Sequence, residues 1–242
     1  MEYVIGIHAV SALLKSAPQR VEELYCLKGR HDQRLHKLLQ QAEKLSVPIH
    51  FKSRQELDAF DDGNHQGVIV RCSAGEVYDE QFLYKLLDNL EEPAFLLVLD
   101  GVTDPHNLGA CLRTANAAGV HAVIAPKDNA VGVNATVRKV ASGAADIVPF
   151  IPVTNLARTL KALQERRIWV TGTAEDGDKL LYAADLTGPM AIVMGAEGKG
   201  MRKLTRETCD FLIRIPMQGE VSSLNVSVAA GVCLFEALRQ RQ

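Results

Sequence analysis

No stretch of this 242-residue chain is apolar for the length of a bilayer crossing. Its first residues, Met1-Glu-Tyr-Val-Ile-Gly-Ile-His8, lack the basic start, apolar run and cleavage site of a secretory leader, so a cytoplasmic protein with no membrane partner is expected. Cysteine is sparse: Cys26, Cys72, Cys111, Cys209 and Cys233 are odd in number and show no C-x-x-C spacing. That argues against a disulfide framework and a zinc site, and predicts reduced, mostly buried thiols with no metal. Charge of one sign is also missing. A net charge of −2 is not that of a polycation that binds nucleic acid by bulk electrostatics. Absent too are G-x-x-x-x-G-K-[ST], H-E-x-x-H and G-x-S-x-G, so P-loop, zincin and α/β-hydrolase chemistries fall away. What remains, 47% hydrophobic residues with few aromatics, is the composition of an ordinary soluble α/β protein.

The pattern along the chain predicts two domains and a link: residues 1–72, a connection over 73–92, and residues 93–242. In the first, helical periodicity covers His8 to Ser16 and Asp32 to Leu45, and strands are expected at Val21 to Leu27, Pro48 to Phe51 and Gly67 to Arg71. Ten Lys/Arg stand against nine Asp/Glu there, with five of the seven histidines, which suits an RNA-contacting face and equally a solvated surface. After the connection, with its short helix around Phe82 to Leu90, short apolar strands alternate with helices. Strands are expected at 94–99, 122–125, 147–153, 168–171, 191–194 and 211–215, and helices at 106–118, 135–144, 156–167 and from Ser222 or Ser223 to Leu238. This alternation implies a mostly parallel sheet covered on both faces, with ligands outside the carboxyl ends of the strands.

Three segments bear polar residues at such ends. Asp104-Pro-His-Asn107-Leu-Gly109-Ala-Cys-Leu-Arg113-Thr-Ala opens a helix with Asp104 as N-cap. Asn107 and Arg113 lie about 120° apart on an ideal helix, so they share a pocket only if Asn107 sits at the loop edge. Gly195-Ala-Glu197-Gly198-Lys-Gly200 follows a buried strand, in the wrong order for a dinucleotide fingerprint, but its glycines permit close approach to a ligand. Ile215-Pro-Met-Gln-Gly-Glu-Val-Ser-Ser-Leu-Asn225-Val-Ser-Val-Ala229 turns a strand into a helix, with Ser222 or Ser223 as the expected N-cap. Taken singly, each segment reads equally as a capped helix or an ordinary turn.

Together, Asn107-Leu-Gly-Ala-Cys-Leu-Arg113-Thr-Ala, Val193-Met-Gly-Ala-Glu197-Gly-Lys-Gly200, Ile215-Pro-Met and Ser222-Ser-Leu-Asn225-Val-Ser-Val-Ala closely resemble the SpoU/TrmH family of SPOUT methyltransferases. The likeness extends over the whole chain. Gly6-Ile-His8-Ala-Val10 and Asn64-His-Gln-Gly-Val68 resemble the L30e-like RNA-binding extension of the branch that modifies a guanosine in large-subunit (23S) ribosomal RNA. The resemblance implies an α/β fold with a deep trefoil knot, where connection rules alone give an unknotted doubly wound sheet. It implies S-adenosylmethionine as cofactor, held by 171–174, 195–200 and 215–224, with Thr173, Gly195, Gly198, Gly200, Ile215, Met217 and Leu224 as cofactor-binding residues. It further implies a homodimer in which catalytic side chains of one subunit lie close to the cofactor of the other.

The reaction so implied is transfer of methyl to a ribose 2′-hydroxyl, in which the protein mainly positions the reactants and the hydroxyl must lose its proton. The family assigns proton removal to the arginine at Arg113, helped by an RNA phosphate. A guanidinium rarely gives up its proton, so Arg113 is either a base or a permanent cation that stabilises the forming alkoxide. Asn107, Glu197, Ser223 and Asn225 complete the catalytic set, with Asn225 expected to fix Arg113 or the ribose. Lys28, Arg30, Arg34 and Lys37 are candidate phosphate contacts. The alternatives are a transfer-RNA 2′-O-ribose methyltransferase, a non-catalytic RNA-binding ribosome-assembly factor and, more distantly, an oxidoreductase.

Overall fold

The computed structural model describes residues 2–30, 32–60, 65–73, 78–221 and 223–242. Two compact units are present, one of Met1–Glu76 with Asn134–Ile147, the other of Val77–Val133 with Val148–Gln242. The excursion Asn134–Ile147 was expected within the second domain. Its helical pattern is the same whichever core it serves, so sequence could not assign it.

The first unit contains β1 (Glu2–Ile5), α1 (Ile7–Ser16), β2 (Val21–Leu27), α2 (Gln33–Lys44), β3 (Ile49–Lys52), α3 (Arg54–Asp58) and β4 (Val68–Cys72). Its sheet runs β1-β4-β2-β3, antiparallel except for the β2–β3 pair. α1 and α2 lay Val10, Leu13, Leu14, Leu35, Leu38 and Ala42 on the Val4, Leu24, Val68 and Val70 face, the stripe that helical spacing predicts. Helix starts follow the local chemistry. Asp32 accepts from the backbone of Arg34 and Leu35, and Ser53 with Glu56 forms a capping box. β1 and α3 escape sequence reading because four or five residues carry too little periodicity.

The second unit supplies α4 (Glu80–Asp88), β5 (Phe95–Asp100), α5 (Pro105–Ala117) and β6 (Ala122–Pro126). After α6 (Ala135–Ala141), which belongs to the first unit, come β7 (Phe150–Val153), α7 (Leu156–Glu165), β8 (Trp169–Thr173), β9 (Lys179–Leu180), β10 (Met190–Gly195), α8 (Lys203–Thr208), β11 (Phe211–Arg214) and α9 (Val226–Arg241). The strands form one parallel sheet in the order β7-β6-β5-β10-β8-β11-β9. Every residue of β5 and β6 is buried, as a strand covered on both faces requires. Leu96, Val98, Ile124, Ile151, Leu160, Val170 and Val193 fill the core on one side.

The chain does not lay successive strands side by side. From β8 it makes β9 at the edge, returns to the centre as β10 between β5 and β8, then fits β11 between β8 and β9. Segments cross at very short range, and glycine makes this possible. A Cβ on Gly177 would stand 2.5 Å from the carbonyl carbon of Ile213, and one on Gly195 would stand 2.2 Å from that of Gly200. Arg241 fastens the end of α9, donating to the carbonyl oxygens of Gly188 at 2.6 Å and Leu186 at 3.2 Å and stacking over Phe95. That contact orders the last turn, so the helix runs three residues beyond the expected Leu238.

Candidate active site

Three backbone corners meet at the carboxyl ends of the central strands. β5 runs through Asp100 into the α5 N-terminus, where the Asp104 carboxylate accepts from His106 N at 2.8 Å and Pro105 takes the first helical position. This places Asn107 in the first turn of α5, buried, at the loop edge that a shared pocket demanded. β10 ends at Gly195, and the following residues fold back on themselves. Ala196 N donates to Gly200 O at 3.0 Å and Gly200 N to Ala196 O at 2.9 Å. Gly198 and Gly200 hold φ of 71° and 65°, in the left-handed region that suits residues without a side chain. Glu197 sits exposed at the tip.

The third corner runs from β11 to α9, and here the expected cap is corrected. Ser223 lies outside the helix and Ser222 falls outside the described residues, while Asn225 caps α9, its Oδ1 accepting from Ser227 N at 2.9 Å and Ser227 Oγ at 2.6 Å. Asn caps as well as Ser does, and here it has a further task. Asn225 Nδ2 donates to Asn107 Oδ1 at 2.9 Å and to Glu197 Oε1 at 2.5 Å, while Val226 N also donates to Glu197 Oε1, at 3.3 Å. One side chain thus ties together all three corners. Residues 107, 197 and 225 are brought to a single junction.

Other expected residues stand around it. Thr173, at the end of β8, donates its hydroxyl to Val193 O at 3.0 Å and so braces β10 against β8. Ile215, Met217 and Leu224 are half-buried along the β11–α9 connection, and Ser223 is exposed. Between Ile215 and Leu224 the described residues make no backbone hydrogen bond to the rest of the chain, leaving their polar groups open to a ligand or water. Open backbone, half-buried apolar side chains and a loop start with no room for a Cβ fit a bent, partly polar cofactor such as S-adenosylmethionine.

Arg113 is not part of the junction. It lies about 9 Å farther along α5 and about 120° round from Asn107. Its side chain is exposed, and no hydrogen bond or ion pair engages it among the described residues. Asn225, expected to fix Arg113 or the ribose, commits its Nδ2 to Asn107 and Glu197 in this chain.

Sequence reasoning overlooked a second tie. The Asp100 side chain has no exposure, and its Oδ2 accepts from Arg202 N at 2.8 Å and its Oδ1 from Arg202 Nε at 2.6 Å. A charged residue ending an all-buried strand was the available signal for Asp100. Nothing local marks Arg202. The thiols offer no nucleophile, since burial pushes Cys111, Cys209 and Cys233 up to about 12. Among the described residues no cluster of His, Cys, Asp and Glu could hold a metal, and no helix is long and apolar enough to cross a membrane. A depression of about 290 Å³ lined by Trp169, Thr171, Lys179, Phe211 and Ile213 among others includes none of the three junction residues.

In the first unit, Lys28, Arg34 and Lys37 are exposed, whereas the Arg30 guanidinium is committed to the Asp32 carboxylate and the Gln66 carbonyl. Arg30 holds Asp32 down at about 2. His65 is buried. Its Nδ1 accepts from Gly67 N at 2.9 Å and its Nε2 lies 2.9 Å from Asp58 Oδ1, so it fixes the turn into β4, while Asn64 of the same motif lies outside the described residues.

A parallel sheet of this strand order, with its ligand corner made from loops that cross at glycines, is the SPOUT α/β class. Residues 94–235 match the model of the SpoU rRNA Methylase family, and residues 3–78 match that of the RNA 2′-O ribose methyltransferase substrate-binding domain. The chain belongs to the SpoU methylase family. It is 60% identical over 240 residues to the 23S rRNA (guanosine-2′-O-)-methyltransferase RlmB of Pseudomonas aeruginosa, covering 99% of this chain and 97% of that protein. Identity is also 60%, over 241 residues and 99% of both chains, to RlmB of Escherichia coli K12. Among solved structures, the SpoU methyltransferase AviRb of Streptomyces viridochromogenes, in complex with the cofactor AdoMet, superposes with a TM-score of 0.78 at 25% identity, over 99% of this chain and 90% of that one.

Proposed function

We propose that this protein transfers a methyl group from S-adenosylmethionine to the 2′-hydroxyl of a guanosine ribose in 23S ribosomal RNA. The observation that carries the reading is the junction at Asn225, which ties Asn107 and Glu197 together where strands β5 and β10 end, with Arg113 farther along the helix of Asn107 and engaged by no hydrogen bond or ion pair among the described residues. A protein that only bound RNA would have no use for a buried amide, a carboxylate and a second amide held in mutual contact.

When bound, S-adenosylmethionine supplies an electrophilic methyl with its own leaving group, so the chain has to bind, orient and manage one proton. Gly195, Ile215 and Leu224 hold the cofactor through their backbone groups, with Thr173, Gly198, Gly200 and Met217 shaping its surroundings. Asn107, Glu197 and Asn225 are already locked to one another, so little ordering remains when substrate arrives, and Ser223 lies within the same corner. Arg113 has its whole fork of donors available for a phosphate and the developing alkoxide. The working form is a homodimer, in which Arg113 of one subunit serves the cofactor of the other. Val228 and Phe235, one heptad apart on α9, are 51% and 48% exposed and give an apolar stripe for a second copy to cover. Residues 1–72 select the RNA, with Lys28, Arg34 and Lys37 against phosphates, and the protein acts in the cytoplasm.

The test is methyl transfer from labelled S-adenosylmethionine into unmodified 23S rRNA, unmodified transfer RNA and no RNA. The expected result is incorporation into 23S rRNA alone, mapping to a guanosine 2′-oxygen. Incorporation into transfer RNA, or none with any substrate, would overturn the reading.

A further inference from the structure

Glu197 reaches the junction from the tip of a loop, so something must set that loop's position. The backbone pair between Ala196 and Gly200 closes the loop on itself but does not tie it to the sheet. The tie is made by Asp100. In the β5–β10 ladder Asp100 stands directly beside Gly195, the residue where the loop departs. Its carboxylate takes both the backbone N–H and the guanidinium of Arg202, the residue where the loop ends and α8 begins. One residue therefore holds both ends of the segment that presents Glu197, through its backbone register beside Gly195 and through its buried carboxylate on Arg202.

We infer that Asp100 and Arg202 are positioning residues for the methyl-transfer site: their ion pair fixes the height of the Gly195–Gly200 loop, and through it the place of Glu197 and of the cofactor. This rests on the function proposed above. The pair itself touches neither Asn107 nor Asn225. Charge alone does not suffice, because two different donors of Arg202 must meet two oxygens of one carboxylate, and this two-point contact is what sets an angle as well as a distance. The Arg202 side chain is 51% exposed, so it can be changed without opening the core.

The experiment measures S-adenosylmethionine affinity by calorimetry and single-turnover methyl transfer for wild type, Arg202→Lys, Arg202→Gln and Asp100→Asn, with a thermal melt of each. Arg202→Gln is expected to melt within a few degrees of wild type yet bind the cofactor about tenfold more weakly, with Arg202→Lys recovering only part of the loss. Combining Arg202→Gln with Glu197→Gln should cost less than the two losses added, because both act through one loop. A fold defect alone would lower the melting temperature and leave the affinity of the folded fraction unchanged. Wild-type affinity and turnover in folded Arg202→Gln, or losses that add in full with Glu197→Gln, would overturn the inference. Were Asp100→Asn to fail to fold, the Arg202 variants decide alone. Absence of cofactor binding by the wild type would sink the functional proposal instead, so the two failures are distinct.

Discussion

The junction around Asn225 and the exposed flank of α5 at Arg113 differ in one physical respect. At the junction Asn107, Glu197 and Asn225 are spoken for: Asn225 binds Asn107 and Glu197 while capping α9, and nearby Thr173 is bonded to β10. At Arg113 no described residue makes a hydrogen bond or ion pair. Groups held by several short contacts lose little freedom when a ligand arrives, whereas an unengaged guanidinium is available to whatever anion comes. Under the function proposed above, the committed corner holds the methyl donor and the uncommitted arginine serves the RNA side of the reaction.

Changes at the committed corner should therefore act on cofactor affinity, and the largest should come from Gly195→Ala. A Cβ there would lie 2.2 Å from the Gly200 carbonyl carbon and 2.3 Å from Met201 N, so the loop must open. A displacement of that kind costs on the order of a hundredfold, and calorimetry should show it as weaker S-adenosylmethionine binding. Asn225→Ser is milder and more informative. Serine retains the α9 cap but offers one hydroxyl donor on a shorter side chain where the amide serves both Asn107 and Glu197, so methyl transfer should fall about tenfold while the melting temperature stays close to wild type. Equal losses of stability and activity would break the comparison, since Asn225 would then matter only as a cap.

Smaller effects are expected away from the corner. Replacing Lys28 or Arg34 by Gln should weaken RNA binding and reduce the slope of log affinity against log salt by about one per residue, without altering cofactor affinity. The least effect concerns Glu236 on α9, whose carboxyl Arg239 and Gln240 hold down at about 2. A lowered folded-state pKa gives stability that is present above the unfolded carboxylate value of about 4.3 and is lost as pH falls through about 2. Glu236→Gln should accordingly melt lower than wild type at neutral pH, and the gap should close between about pH 4 and pH 2 in a series of thermal melts.

Much of this architecture was legible in the residues. The strand cores from Phe95 to Leu99 and from Ala191 to Met194 declare themselves by unbroken apolar runs, and Asp104-Pro105 marks the start of α5 by its capping chemistry. Beyond short elements such as β1 and α3, what stayed hidden shares one cause, which is dependence on partners far along the chain. Asn225 takes over the cap expected of Ser222 or Ser223, and its donor faces Asn107, 118 positions away. The Asp100–Arg202 pair spans 102 positions, and neither residue announces the other. The segment from Asn134 to Ile147 carries an ordinary helical pattern, which gives no sign of the unit it joins. Local propensity records how a segment folds; it does not record which segments meet.

The division between a committed cradle and a free arginine is tested most directly by titrating S-adenosylmethionine into Arg113→Ala and following single-turnover methyl transfer into unmodified 23S rRNA with the same preparation. The expected outcome is wild-type cofactor affinity with transfer slowed by about a hundredfold or more, and little recovery in Arg113→Lys. Loss of cofactor binding in step with activity, or turnover near wild type without the guanidinium, would contradict it.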